Sequence, residues 1–355
     1  MKKIAIFTLT NENNFGNRLQ NYAVQEILKK NNIKVETVSN QLNIYGRNYI
    51  IKKIKDIIKK FLFFVPKYVR TNNFIKFNKK YVKFSKYHID KNHIPKELSH
   101  KYDYYITGSD QVWNPNFSGR SDIDFLTFVP KEKRNAFSAS FGISEIPEEH
   151  KERYKKNLSQ MNLISVRENR AKEIIEELTG RTDVEVLLDP TMLLIPEEWD
   201  KVSKKPKKLK TNKYILNYYL GELTEDRKKI ITDIAKKNNC KIINLMDKSE
   251  PLYVSGPSEF LYLVKNAFLV CTDSFHGAVF SIIYNTPFVI FERKDSNVKM
   301  NSRLDTLLSK FNLEYRKFNG NIEKEVFDCN YQKIDNILTE ERKKSQEFIK
   351  KVLET

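Results

Sequence analysis

The segment "KIAIFTLTNENNFGNRLQNYAVQEILKKNNIKVETVS", residues 3–39, decides the fold class. It opens with a short β-rich apolar run at 3–9. A polar loop at 10–16 leads into 17–30, where Leu19, Tyr22, Ala23, Ile27 and Leu28 recur on one helical face. Asn17 is placed to cap that helix. A second β-rich run fills 33–39. Strand, helix, strand is the unit of a parallel sheet, because parallel neighbours need a long crossover rather than a tight turn.

The same alternation continues outward. Strands are expected at 102–107, 135–141, 162–166 and 184–188, ending in Gly108-Ser109-Asp110, Gly142, Arg167-Glu168 and Asp189-Pro190. The lysine-dense, proline-marked stretch 201–213 reads as a linker. Beyond it, strands at 214–220, 241–246, 268–272 and 287–291 alternate with helices near 223–238, 257–266, 276–285 and 302–311. An amphipathic helix closes the chain at 337–354. The expected architecture is α/β: two Rossmann-like doubly wound domains, 1–200 and 214–355, facing a cleft. A basic, aromatic insert at about 45–100 interrupts the first.

Composition bounds the function. A chain of 355 residues with 40% hydrophobic side chains can form two cores. The net charge of +18 points to an anionic partner: nucleic acid, anionic lipid or a phosphorylated substrate. Cys240, Cys271 and Cys329 are widely spaced, and no CxxC or HExxH spacing occurs, so a disulfide framework and a zinc site lack support. No apolar run approaches the ~20 residues of a membrane span, and a cytoplasmic protein is expected. The dinucleotide G-x-G-x-x-G, the P-loop and the G-x-S-x-G elbow are absent from the sequence.

In doubly wound sheets, ligands bind beyond the carboxyl ends of the strands. The residues to weigh are therefore Asn17 in the 11–18 loop; Gly108, Ser109, Asp110 and Gln111; residues 138–142; Arg167 and Glu168; Asp189; and Asp273, Ser274, His276 and Gly277. Strands commonly end in turn formers, which accounts for any one of them singly. Arg167 follows an apolar strand directly and precedes Asn169, a candidate N-cap, where anions bind. An ion pair with Glu168 or a neighbouring helix explains it equally well. His276 falls in the first turn of a helix at the cleft, with Gly277 allowing close packing. A phosphate bound there would favour the imidazolium, giving a histidine that takes up a proton with substrate. Capping the helix or filling the domain interface is the plain structural alternative.

The segments "NFGNRLQNYAVQEIL", "YDYYITGSDQVWNP", "SASFG", "ISVRENRA", "LLDPTMLL" and "TDSFHGAVFSIIYNTPFVIF" occur in that order. Together they resemble the polysaccharide pyruvyl transferase family over nearly the whole chain. The resemblance implies a fold similar to two-domain GT-B glycosyltransferases. It also implies transfer of a pyruvyl group from phosphoenolpyruvate onto two hydroxyls of a sugar, as a cyclic ketal with release of phosphate. The family's mid-chain arginine falls on Arg167, its loop acid on Asp110 and its histidine on His276. Many members carry arginine two residues before that histidine; here the position is Ser274, so the donor needs another cation, with Arg303 or Lys299 as candidates.

On this reading His276 is the general acid, and Asp110 or Asp273 accepts the sugar's proton. Arg167 stabilises the departing phosphate. Phosphoenolpyruvate is the donor and no cofactor or metal is expected. The resemblance further implies a sugar acceptor carried on a polyprenyl lipid, which would place the protein peripherally at the inner face of the cell membrane. The basic stretch 47–93 has fourteen Lys/Arg against two Asp. It reads as a solvated helix packing its isoleucines on the core or as an interfacial helix on anionic lipid. Nucleic acid has no recognised signature here. Two other functions stay open: a glycosyltransferase on the same scaffold using a nucleotide sugar, and a non-catalytic basic protein binding a membrane surface.

Overall fold

The computed structural model describes every residue except 11–12, 41–57, 59–64, 118, 120, 294–301, 323, 328–330 and 355. Most of the isoleucine-rich part of the basic stretch, residues 47–57 and 59–64, and Lys299 lie outside the described residues.

The first half builds a seven-stranded parallel sheet. Its strands are β1 (Lys3–Phe7), β2 (Lys34–Asn40), β3 (Phe84–Ile89), β4 (Tyr104–Thr107), β5 (Arg134–Ala139), β6 (Ile164–Val166) and β7 (Glu185–Val186), in spatial order β3-β2-β1-β4-β5-β6-β7. The second half builds a four-stranded parallel sheet from β8 (Tyr214–Tyr218), β9 (Lys241–Asn244), β10 (Leu269–Thr272) and β11 (Phe288–Ile290), in order β11-β10-β8-β9. Each sheet reverses its winding once, between β1 and β4 in the first and between β8 and β10 in the second. Chains leaving such a pair diverge to opposite faces and leave a crevice.

Helices α1 (Phe15–Lys30), α2 (Pro66–Tyr81), α3 (Glu148–Leu158), α4 (Asn169–Thr179) and α5 (Pro196–Asp200) belong to the first half of the chain. Helices α6 (Glu225–Lys237), α7 (Pro257–Lys265), α8 (Phe275–Ile283), α9 (Ser302–Phe311) and α10 (Tyr331–Glu354) belong to the second. Among the described residues no helix is long and apolar enough to cross a membrane.

Three features differ from the sequence reading. First, residues 66–89 are not an appended insert. They supply α2 and the edge strand β3, which pairs in parallel with β2. Helix α2 also ties the halves together, since Arg70 Nη1 donates to the Tyr253 carbonyl at 2.7 Å and Asn73 Nδ2 to that of Val254 at 2.8 Å. The helix read across the basic stretch is present here, and its buried face, Arg70, Phe74 and Phe77, is narrow. Second, α10 returns to the first sheet: Phe348 stacks on Phe137 at 6.1 Å, and Arg342 Nε donates to the Met192 carbonyl at 2.9 Å. Third, the stretch read as a linker is anchored, with Val202 and Pro206 buried and the Lys204 amide bonded to the Ser258 carbonyl at 3.0 Å.

One apolar cluster runs from Ile4 and Leu19 through Phe15, Phe260 and Phe280 to Phe348, crossing between the halves. Phe15, the first residue of α1, stacks on Phe260 of α7 at 4.4 Å. Aromatic pairs at this separation add to their area burial, and truncating such a ring costs about 3–5 kcal/mol. The seam is thus a packed core, and it sets the carboxyl edges of the two sheets facing each other.

Candidate active site

Asn14, not Asn17, caps α1: its side chain accepts from the Asn17 amide at 3.1 Å. The helix therefore starts two residues earlier than expected and turns the Asn17 side chain inward, where its Nδ2 donates to Asp110 Oδ2. Gly16 lies under His276, and a Cβ added there would come within 2.0 Å of Nδ1. Only glycine lets the imidazole of the second half approach this close.

Beyond β4, Asp110 adopts a left-handed conformation (φ 73°) that costs a non-glycine residue energy. Its Oδ1 accepts from the Gln111 amide at 2.9 Å and from Arg167 Nη2 at 3.2 Å. Arg167 Nη1 donates to Asp189 Oδ2 at 2.7 Å, and Ser109 Oγ donates to the same oxygen at 3.2 Å. Asp189 Oδ1 accepts from the Thr191 amide and hydroxyl, at 3.0 and 2.6 Å. Every one of these groups is buried. Burial alone would raise the Asp110 carboxyl, but Arg167, then His276 and Arg303, hold it below the ordinary range. Asp189 is depressed too, with burial outweighed by His276 and Arg167. Glu168 goes the other way, because burial outweighs Arg167 and pushes it up. Its Oε1 accepts from Ser140 Oγ at 2.8 Å.

From the second half, α8 begins at Phe275 and delivers His276, whose Nε2 points to Asp189 Oδ2 at 3.7 Å. His276 and Arg167 thus share one carboxylate. Arg167 also lies over the Phe275 ring, 4.3 Å from its centroid. Gly277 packs α8 onto β10, where an added Cβ would meet Thr272 Oγ1 at 2.5 Å.

A cavity of about 240 Å³ opens between the two crevices. Asn17, Asp110, Gln111, Asp273, Ser274, His276 and Arg303 line it, while Gly108, Ser109, Arg167, Glu168 and Gly277 do not. Arg167, Glu168 and Ser109 form the layer beneath. The two candidate bases are not free. Both oxygens of Asp110 are occupied, and Asp273 accepts from the Leu220 amide at 2.7 Å, the Gly221 amide at 2.7 Å and Arg293 Nε at 2.9 Å. Asp273 therefore ties the β8 loop to the segment after β11.

Two arginines bring positive charge to the cavity. Arg303 is buried and forms no ion pair among the described residues; with the Gln111 amide oxygen turned toward it, the guanidinium donates at 2.9 and 3.2 Å. Burial, reinforced by Arg167 nearby, lowers it to about 10. Arg293, which the sequence reading missed, lines the same space while its Nε donates to Asp273. It lies three residues past β11, so the strand-end rule applied to 287–291 would have found it. Among the described residues no group of three His, Cys, Asp or Glu side chains is gathered for a metal ion.

The chain matches the family model described as polysaccharide pyruvyl transferase over residues 14–296. No curated protein sequence matches it. Among solved structures it is similar to a Listeria monocytogenes protein described as a UDP-N-acetylglucosamine 2-epimerase, at 10% identity and a TM-score of 0.53 over 97% of this chain and 90% of that one. It is also similar to the UDP-GlcNAc 2-epimerase of Neisseria meningitidis bound to UDP-GlcNAc, at 12% identity and a TM-score of 0.50 over 97% and 94%. At such identity the likeness shows the fold alone, which is of the GT-B type.

Proposed function

The chain belongs to the polysaccharide pyruvyl transferase family, and from that premise we propose that it transfers a pyruvyl group from phosphoenolpyruvate to two hydroxyls of a sugar, closing a cyclic ketal. The observation that carries this reading is the cavity's cation set. A buried arginine without an ion pair among the described residues, a second arginine held to Asp273 through Nε and a histidine line one small space. Phosphoenolpyruvate is compact and carries both a phosphate and a carboxylate. Arg303 and Arg293 take these groups and stand in for the cation that Ser274 does not supply.

His276 gives a proton to the methylene carbon, which leaves the adjacent carbon electrophilic. The first sugar hydroxyl bonds to that carbon. Its proton goes to the imidazole just vacated, since Asp110 and Asp273 are already engaged by donors. The second hydroxyl then attacks the same carbon, and the bond to phosphate breaks with its electron pair leaving on phosphate. The second proton leaves with it. Arg167 acts from beneath, holding Asp110 and Asp189 in place. The acceptor is a sugar, and a polyprenyl carrier at an anionic membrane face suits the exposed lysines of α2, Lys67, Lys76, Lys79 and Lys80.

The test is phosphate release from phosphoenolpyruvate across a panel of sugar acceptors. The wild-type chain should release phosphate with at least one acceptor, and His276→Gln should lose about 10²–10⁴-fold in kcat while its thermal melt stays in place. Release of nucleotide from a nucleotide sugar, with none of phosphate, would replace this reading with the glycosyltransferase one. Sedimentation with anionic vesicles, compared with neutral ones, tests the membrane contact separately.

A further inference from the structure

A separate groove of about 400 Å³ lies on the outer face of the second sheet, between α6 and the β8–β9 edge. Alternation along the chain puts Ile215, Asn217 and Tyr219 on this face. Ile215 and Tyr219 pack with Ile231 of α6 in the outer core, so Asn217 interrupts an apolar stripe. Asn217 is 4% exposed; its Nδ2 donates to Asn244 Oδ1 across the strand pair at 2.8 Å, and its Oδ1 is buried without a partner. Tyr219 is 7% exposed, and its hydroxyl is also buried without a partner. Native interiors rarely leave such groups unmatched, least of all two that line one groove.

The groove's other walls are largely apolar, from Leu223, Ile231, Ile242 and Met246. Its charged residues have local partners: Lys228 Nζ meets Glu225 at 2.6 Å, and Asp247 accepts from Ser249 at 2.8 Å. Apolar walls with a few placed polar groups are the make-up of a small-molecule site. An orphan carbonyl acceptor beside an orphan hydroxyl donor complements a secondary amide. The ligand's N–H goes to Asn217 Oδ1 and its C=O accepts from the Tyr219 hydroxyl.

We propose that this groove binds a small neutral ring bearing a secondary amide, whether the N-acetyl group of an amino sugar or the imide edge of a pyrimidine base. The groove adjoins the transfer cavity without being part of it. Gly221 lines the groove, Leu220 lines the cavity, and both amides bond Asp273. The proposal goes beyond the transfer reading and stands without it.

Saturation-transfer NMR on the full-length chain tests it, with methyl N-acetylglucosaminide, uridine and methyl glucoside as probes. One of the two amides is expected to bind, which identifies the source, and the glucoside is not. Tyr219→Phe, which removes a single oxygen, should weaken binding at least about tenfold with an unchanged thermal melt. Asn217→Leu should do the same, and serves as a second variant if it folds. Binding of neither amide, equal binding of the glucoside, or undiminished binding by Tyr219→Phe overturns the proposal.

Discussion

The two crevices that meet at the cavity handle charge in opposite ways. In the first sheet, Arg167 is bracketed by Asp110 and Asp189, and each oxygen of those carboxylates has a donor. In the second half, Arg303 has an amide but no ion pair among the described residues, and Arg293 is held by Asp273 through Nε. Paired charge under a floor keeps its shape, because removing either partner strands a buried ion. A cation with no carboxylate in direct contact gains most when an anion arrives. The first crevice is therefore held by its own ion pairs, while the second leaves Arg303 without one among the described residues.

The sharpest way to break this contrast is Arg167→Ala. It strands two buried carboxylates and should cost about 3–5 kcal/mol, read as a fall in the urea midpoint. Combining it with Asp189→Asn should recover part of the loss. An unchanged midpoint would remove the distinction between floor and binding wall. Arg303→Met sharpens the contrast from the other side. Stability should stay within about 1 kcal/mol, while the KM for phosphoenolpyruvate rises about 10–100-fold through lost charge-assisted bonds. The smallest effect is on acid stability. Asp110 and Asp189 have lowered values when folded, so their contribution is complete above the ordinary carboxylate range near pH 4. It is lost as pH falls toward and through the folded values. Each such group adds at most about 1.4 kcal/mol per pH unit to the slope, and Asp110→Asn should flatten the stability curve there. Glu168, raised by burial, has the opposite sign: its contribution is present below the ordinary value and fades as pH rises through the folded one.

Much of the fold was legible because it depends on local pattern. The period of apolar residues over 3–39 marks strand, helix and strand, and α9 spans Ser302–Phe311, the bounds its spacing predicts. The strand-end rule named Asp110 and His276, and the missing arginine at Ser274 pointed to Arg303; all three line one cavity. It could not tell lining from floor: Arg167 looked like a residue for anions and lies beneath, engaged by carboxylates. Helix α3 was missed, since its eleven residues include only Tyr154 and Leu158 as buried apolar side chains. The strand β3 was missed because an edge strand buries alternate residues only, and its lysine-rich flanks resemble a solvated helix.

By itself, the sequence determined which segments are strands and helices over most of the chain and which polar residues stand at the ends of the strands. Those follow from periodicity and turn chemistry within a few residues of each position. Tertiary structure alone decided which charges are spent on one another and which stay open. Arg167 and Arg303 are the same side chain in sequence, and only the approach of Asp110 and Asp189 to the first makes it a structural tie. Ion-pair energy depends on separations of a few ångströms between residues tens of positions apart, which no local pattern encodes.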